Sequence, residues 1–321
     1  GSDRGRSRVF GSGDGGKTWR QLAEVPHLSF STLFMHREAL YVMGVYKGHV
    51  GILRSADGGT TWTEPKDAKS GLLLTDKPPY HSAPVPVLEH KGRLWRAMED
   101  RQAGGKWPYQ FRAFMMSAPV DADLLAAASW TSSEPLASDP KWLDGELKGW
   151  LEGNAVATPE GDIVNILRVD SWEGGKAAVI RVGANGKTCS FDEKAGLIDF
   201  PGGAKKFTIR RDPEGGEYWS LVNWIDESTR QGRIAGLVRN NLVLVSSRDL
   251  RTWRIRRRVL SHPDPTRHGF QYVDWQFDGK DIVAVSRTSF DDGFGGAKNH
   301  HDANYFTFHR IVDFRSSTRE E

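Results

Sequence analysis

Short apolar runs separated by polar breaks dominate the chain. The stretch "LSFSTLFMHREALYVMGVYKGHVGILRSADGGTTWTEP", which opens at Leu28, has three such runs and then a polar octapeptide that leads into a fourth. The same order recurs over residues 82–135, 154–192, 205–257 and 269–314. Each unit reads as about 35 to 50 residues of short strands joined by tight turns, the period and content of a β-propeller blade. The segments "HREA", "HKGR", "TPEGD", "DPEGGE" and "FDGKD" supply the turn between the first two strands of each unit.

The octapeptide occurs twice, as "SGDGGKTW" (12–19) and "SADGGTTW" (55–62). Gly15-Gly16 and Gly58-Gly59 suit a turn that needs positive φ, and Asp14 and Asp57 can accept hydrogen bonds from the turn's own backbone. Trp19 and Trp62 would begin the next strand and pack between blades. Worn copies, "GANGKTC" (183–189) and "SSRDLRTW" (246–253), hold the same place in their units. The reading is therefore of a structural turn and not a ligand site. The pattern Ser-x-Asp-x-Gly-x-Thr-Trp, carried here by Ser12, Asp14, Gly16, Thr18 and Trp19 and again by Ser55, Asp57, Gly59, Thr61 and Trp62, resembles the Asp-box, or BNR repeat, of the sialidase-like (neuraminidase) propellers.

That resemblance implies an all-β, six-bladed propeller of the sialidase type, a single domain over 1–321. The units fall at 1–30 (partial), 31–66, 80–135, 150–200, 204–260 and 268–316. Unit one is expected to hold only a third and a fourth strand, through truncation or an unusual closure. The Phe/Tyr-Arg-Ile-Pro motif, which in sialidases brings a carboxylate-binding arginine from the first blade, is absent.

Composition narrows the partners. A net charge of +3 and the lack of a long basic block argue against nucleic acid; the densest stretch, "RTWRIRRR" (251–258), partly alternates with apolar residues, as a strand with one wet face would. No apolar run approaches the roughly 18 residues of a membrane helix. The single cysteine, Cys189, excludes an intrachain disulfide and a cysteine-based zinc site. No signal peptide is visible, and the resemblance implies a secreted or periplasmic bacterial protein.

In a propeller the starts of first strands and the ends of second strands ring one mouth of the axis, and small-molecule sites favour such concave places. Those positions are polar here. Unit three offers Tyr80, His81, Glu99, Asp100 and Arg101. Unit four offers Glu152, Asn154, Arg168 and Asp170. Unit five offers Lys205, Lys206 and Asn223, and unit six Gln271, Tyr272, Asp274 and Arg287. The loop after Arg287 adds Asp291, Asp292, Asn299, His300, His301 and Asp302. Adjacent histidines on an extended segment point to opposite faces, so the "NHHDAN" stretch alone is not expected to hold a metal, and no cofactor is expected.

The ring suits an acidic glycan or oligosaccharide. Arg168, Lys205, Lys206 and Arg287 could hold a carboxylate, with Glu99, Asn154, Asn223, Gln271 and Asp302 as further substrate contacts. Glu152, Asp170 and Asp100 provide carboxylates for acid–base work, and Tyr272 near Glu152 would resemble the sialidase nucleophile pair. Trp107, Trp150 and Trp224 could stack on sugar faces. Three functions stay open. The first is an exo-acting, sialidase-like glycoside hydrolase on an acidic or deoxy sugar, not a strict sialidase. The second is a uronate lyase with His81 and Tyr80, or His301 and Arg287, in the base and cation roles. The third is a non-catalytic glycan-binding propeller. The open edges of unit one could also be completed by another chain.

Overall fold

In a computed structural model, which describes residues 5–316, the chain is an all-β propeller with five blades, not the expected six. Keeping the unit numbers, blade two comprises Leu28–His36, Ala39–Tyr46, His49–Ser55 and Leu72–Leu74. Blade three is built on Arg93–Asp100 and Arg112–Pro119, with Thr131–Ser132 and Leu136–Ala137 outside them. Blade four comprises Gly149–Ala157, Ile163–Asp170, Lys176–Val182 and two short outer strands, Cys189–Ser190 and Leu197–Asp199. Blade five comprises Thr208–Arg211, Tyr218–Asn223, Asn241–Ser247 and Arg254–Ser261, and blade six Gly269–Asp278, Asp281–Ser289 and Tyr305–Ile311. Every pairing is antiparallel, so polar and apolar positions alternate and the apolar faces of neighbouring blades meet.

Unit one is a two-stranded sheet, Arg6–Gly11 with Arg20–Pro26, and is the reason the sixth blade is not reached. Its Val9 and Val25 pack with Leu28, Val42, Tyr46 and Leu53 of blade two. Its Trp19 ring lies 5.5 Å from Phe308 of blade six. The hairpin thus fills the outer space between blades two and six without supplying an inner strand.

Both octapeptides close as turns. Asp57 Oδ1 accepts from the Thr61 amide (2.9 Å) and the Ser55 hydroxyl (2.7 Å), and Oδ2 accepts from the Thr61 hydroxyl (2.6 Å). Asp14 repeats these bonds with Thr18 and Ser12. The indoles of Trp19 and Trp62 donate to Gly16 O and Gly59 O, each at 3.0 Å. Trp19 begins no strand itself but precedes one by a residue. Trp62 leads into coil, and the outer strand of blade two comes ten residues later, at Leu72, once the "TEPKDAKSG" segment has turned back.

Two departures from regular strands place the functional side chains. In blade three the inner strand is broken into Tyr80–His81 and Leu88–His90. The buried Arg96 guanidinium fills the break, donating to Val85 O (2.7 Å), Ala83 O (2.8 Å) and Ser82 Oγ (2.7 Å). In blades two, four and six the inner strand carries the same bulge, in which two residues oppose one: Phe30-Ser31 against Gly44, Glu152-Gly153 against Leu167, and Tyr272-Val273 against Ser286. The first residue of each bulge is left-handed, with φ of 50° at Phe30, 60° at Glu152 and 52° at Tyr272. A non-glycine residue there costs roughly 1–2 kcal/mol. At Gly44 a Cβ would stand 2.6 Å from that of Ser31, so blade two has no room there for the side chains that Leu167 and Ser286 carry opposite the other two bulges.

Candidate active site at the axial mouth

The bulges of blades four and six bring Glu152 and Tyr272 to one charged cluster. Arg168 lies on the strand beside Glu152, opposite Leu151, and is almost wholly buried. Its Nη1 donates to Glu152 Oε2 at 3.0 Å and its Nη2 to Asp170 Oδ2 at 3.3 Å. Asp170 follows Arg168 by two residues, hence on the same strand face. The exposed Trp107 ring lies 5.7 Å from the Arg168 guanidinium.

Tyr272 is set between two more arginines. The Arg287 guanidinium is 4.9 Å from its ring centroid and that of Arg239 6.0 Å. The charge of Glu152 is the largest influence on the Tyr272 phenol and raises its pKa, with burial adding to the effect; Arg239, Arg168 and Arg287 pull the other way. Burial raises the Asp170 carboxyl against the opposing pull of Arg168. Burial also lowers Arg239 to about 10. Three guanidinium groups therefore face two carboxyls, and the Nε atoms of Arg168 and Arg239 are buried without a hydrogen-bond partner. A site with an excess of buried cations over anions is arranged to receive an anion.

Other predicted residues are committed elsewhere. Lys206 is buried, donates to Val273 O (2.5 Å) and Thr208 Oγ1 (2.6 Å), and is lowered to about 8 by burial. It ties blade five to the bulge of blade six. Lys205 donates to Ala235 O at 3.2 Å, and burial, then Arg239, holds it well below its ordinary pKa. Asn154 and Asn223 are inter-blade staples: the first donates to Phe207 O and accepts from Ile209 N, the second donates to Phe270 O. Gln271 donates to the carbonyls of His300 and His301. Asp100 makes a two-point ion pair with Arg112, at 2.8 and 2.7 Å. Trp150 is buried against Trp142 and Phe191. Trp224 lies beside Arg258.

His81 forms a second polar centre. Its Nδ1 is 3.0 Å from Glu99 Oε2, while Glu99 Oε1 accepts from Gly153 N at 3.0 Å, next to Glu152. The His81 ring is held between Phe30 and Phe111, each 4.7 Å away. His301 is half-exposed, pairs with Asp302 at 3.1 Å and stands edge-on to Tyr272 at 6.2 Å. His300 is buried and lowered to about 4, chiefly by desolvation. The two adjacent rings thus lie in opposite environments.

Arg239 was not among the expected site residues. It lies in the segment between Ala235–Leu237 and the strand Asn241–Ser247, outside the strand ends that topology singles out. Only its burial beside Tyr272 reveals it.

No protein-family model matches the chain, and neither does any curated protein sequence. Solved structures do match. The GH93 α-L-arabinofuranosidase of Fusarium graminearum in complex with arabinobiose superposes with a TM-score of 0.58 at 12% identity, over 95% of this chain and 84% of that one. The Penicillium chrysogenum α-L-arabinanase complexed with arabinobiose gives 0.56 at 13%, over 97% and 86%. A Dyadobacter fermentans protein of unknown function gives 0.57 at 18%, over 95% and 83%. With blades, bulges and mouth in hand, these likenesses establish the architecture: the chain has the sialidase-like β-propeller fold.

Proposed function

We propose that the protein is a glycoside hydrolase that releases an acidic sugar from a glycan, with Tyr272 as nucleophile. The observation that carries this reading is the convergence of Glu152, Arg168, Arg239 and Arg287 on Tyr272. Likeness to propellers whose names describe arabinose-releasing enzymes is consistent with glycan hydrolysis and leaves the sugar open. A carboxylate beside the anomeric carbon would repel a carboxylate nucleophile, whereas a neutral phenol meets no such penalty. Glu152 takes the phenolic proton as Tyr272 Oη bonds to the anomeric carbon. The bond to the leaving oxygen breaks, and Asp170, whose carboxyl burial shifts towards the protonated form, protonates that oxygen. Water then cleaves the tyrosyl–sugar bond, Asp170 accepting the water's proton and the phenol recovering its own from Glu152. Arg239 and Arg287, the latter donating to the His301 carbonyl, would hold the substrate carboxylate.

A second reading, a uronate lyase, is favoured by the His81–Glu99 pair, which orients His81 with its Nε2 free to abstract a proton. One assay separates the two. The protein is incubated with sialosides and with oligosaccharides ending in uronic acids, and released sugar and ultraviolet absorbance are read together. Released sugar without absorbance, lost in Tyr272→Phe, supports hydrolysis. Absorbance from an unsaturated product, lost in His81→Ala and kept in Tyr272→Phe, overturns it in favour of elimination.

A further inference from the structure

Beside the mouth, where the chain crosses from blade five into blade six, two histidines stack. The His262 and His268 ring centroids are 3.4 Å apart with planes 19° off parallel. Phe290 closes one side, edge-on to both rings at 5.4 and 5.1 Å. His268 is buried, with a side-chain exposure of 6%. Its Nδ1 lies 3.0 Å from Asp264 Oδ2. Its Nε2 points at Asp291 Oδ2, 3.4 Å away, yet makes no hydrogen bond.

That arrangement is unbalanced as it stands. An imidazole whose Nδ1–H is given to one carboxylate presents a lone pair at Nε2, and here the lone pair faces a second carboxylate. Either His268 is a cation shared by Asp264 and Asp291, or another cation belongs between Nε2 and Asp291. Geometry favours the second. The Nε2–Asp291 contact does not close as a hydrogen bond, so the buried Nε2 is left without a hydrogen-bond partner while a carboxylate oxygen stands 3.4 Å away. A zinc ion about 2.0–2.1 Å from each tetrahedral ligand sets those ligands about 3.4 Å apart, which is the Nε2–Oδ2 separation. His262 supplies a third ligand atom, all three lying within 4.8 Å of one another. The exposed Asp291 carboxylate can close the remaining gap. Asp264 behind His268 provides the carboxylate–histidine–metal relay that fixes tautomer and ring orientation.

We propose that His262, His268 and Asp291 bind a divalent transition-metal ion, Zn²⁺ by the two-nitrogen, one-carboxylate donor set, with Asp264 as the positioning residue. His262 Nδ1 accepts the Asp264 N–H at 3.1 Å, so Asp264 touches both histidines. The ion would pin Asp291 to the blade crossover. It would thereby anchor the loop whose His301 carbonyl accepts from Gln271 and Arg287 at the mouth.

The test is calorimetric titration of chelator-treated full-length protein with ZnCl₂, with melting temperature read alongside, and needs no substrate. One ion per chain is expected, with a rise in melting temperature. Asp291→Asn, at an exposed side chain whose loss leaves the fold intact, should weaken affinity at least about tenfold, and His268→Gln further. His309→Gln, on the outer strand of blade six, should leave it unchanged. Absence of saturable binding at micromolar Zn²⁺, or binding that survives both Asp291→Asn and His268→Gln, overturns the proposal.

Discussion

Replacing Asn154 by alanine should destabilise the fold without any involvement of substrate. The side chain is fully buried and joins two blades: Nδ2 donates to Phe207 O at 3.2 Å and to Ile166 O at 3.4 Å, while Oδ1 accepts from Ile209 N at 3.0 Å. Truncation leaves the Ile209 N–H and the Phe207 carbonyl without their partner in a place water does not reach. Each such group costs about 1–3 kcal/mol, so the pair costs about 4 kcal/mol. Unfolding entropy of about 2.1 cal/mol/K per residue gives about 0.7 kcal/mol/K over 321 residues. The expected fall in melting temperature is therefore about 6 °C. Differential scanning calorimetry on wild type and Asn154→Ala measures it. A shift below about 1 °C would refute the inter-blade role, and if glycan turnover were lost at the same time, Asn154 would return to the substrate-contact list where topology alone puts it.

Three further outcomes follow from the site and the turns. Tyr272→Phe removes only the phenolic oxygen, so glycan hydrolysis should fall at least about a thousandfold with the melting temperature unchanged; retention of more than a tenth of the rate would rule out the nucleophile. Arg287→Ala should raise KM for a carboxylate-bearing substrate roughly 10- to 150-fold, the equivalent of a charge-assisted hydrogen bond, and should barely alter KM for the reduced, neutral analogue; equal effects on both would remove Arg287 from carboxylate binding. Thr18 and Ser12 hold the Asp14 carboxyl down to about 2 from 3.8. A depressed folded pKa means stabilisation that is full above the unfolded value and lost as pH falls through the folded one. The melting-temperature gap between wild type and Asp14→Asn should thus be constant above about pH 5 and close between about pH 4 and 2; a gap that widens on acidification would reverse the assignment.

The sequence made the repeat legible because blade strands alternate regularly and their turns use Gly, Asp and Pro at fixed offsets. The octapeptides were readable as turns for the same reason: Ser55, Asp57 and Thr61 bond only to one another and to local backbone. Glu152, Arg168, Asp170, Tyr272 and Arg287, which strand order singles out as candidates, do lie together in one charged cluster. What topology could not supply was the division of labour among polar residues. Lys206 and Asn154 sit at equivalent strand ends to Glu152, yet their partners are carbonyls and amides on the next blade, contacts fixed by three-dimensional packing. Arg239, His262 and His268 lie on connections between strands, where no periodicity marks them. The blade count failed because unit one yields a two-stranded sheet among the described residues.

The bulge shared by blades two, four and six has a consequence for how this mouth can change. Its left-handed residue is Phe30, Glu152 or Tyr272, an apolar ring, an acid and a phenol held by one backbone geometry. The conformational cost is already met by the surrounding sheet and is nearly independent of which side chain is carried. Each position therefore works as a socket: exchanging its residue alters the chemistry offered to a ligand while the bulged backbone and the strand register stay in place. A propeller of this kind can acquire a new specificity through single codon changes, one blade at a time.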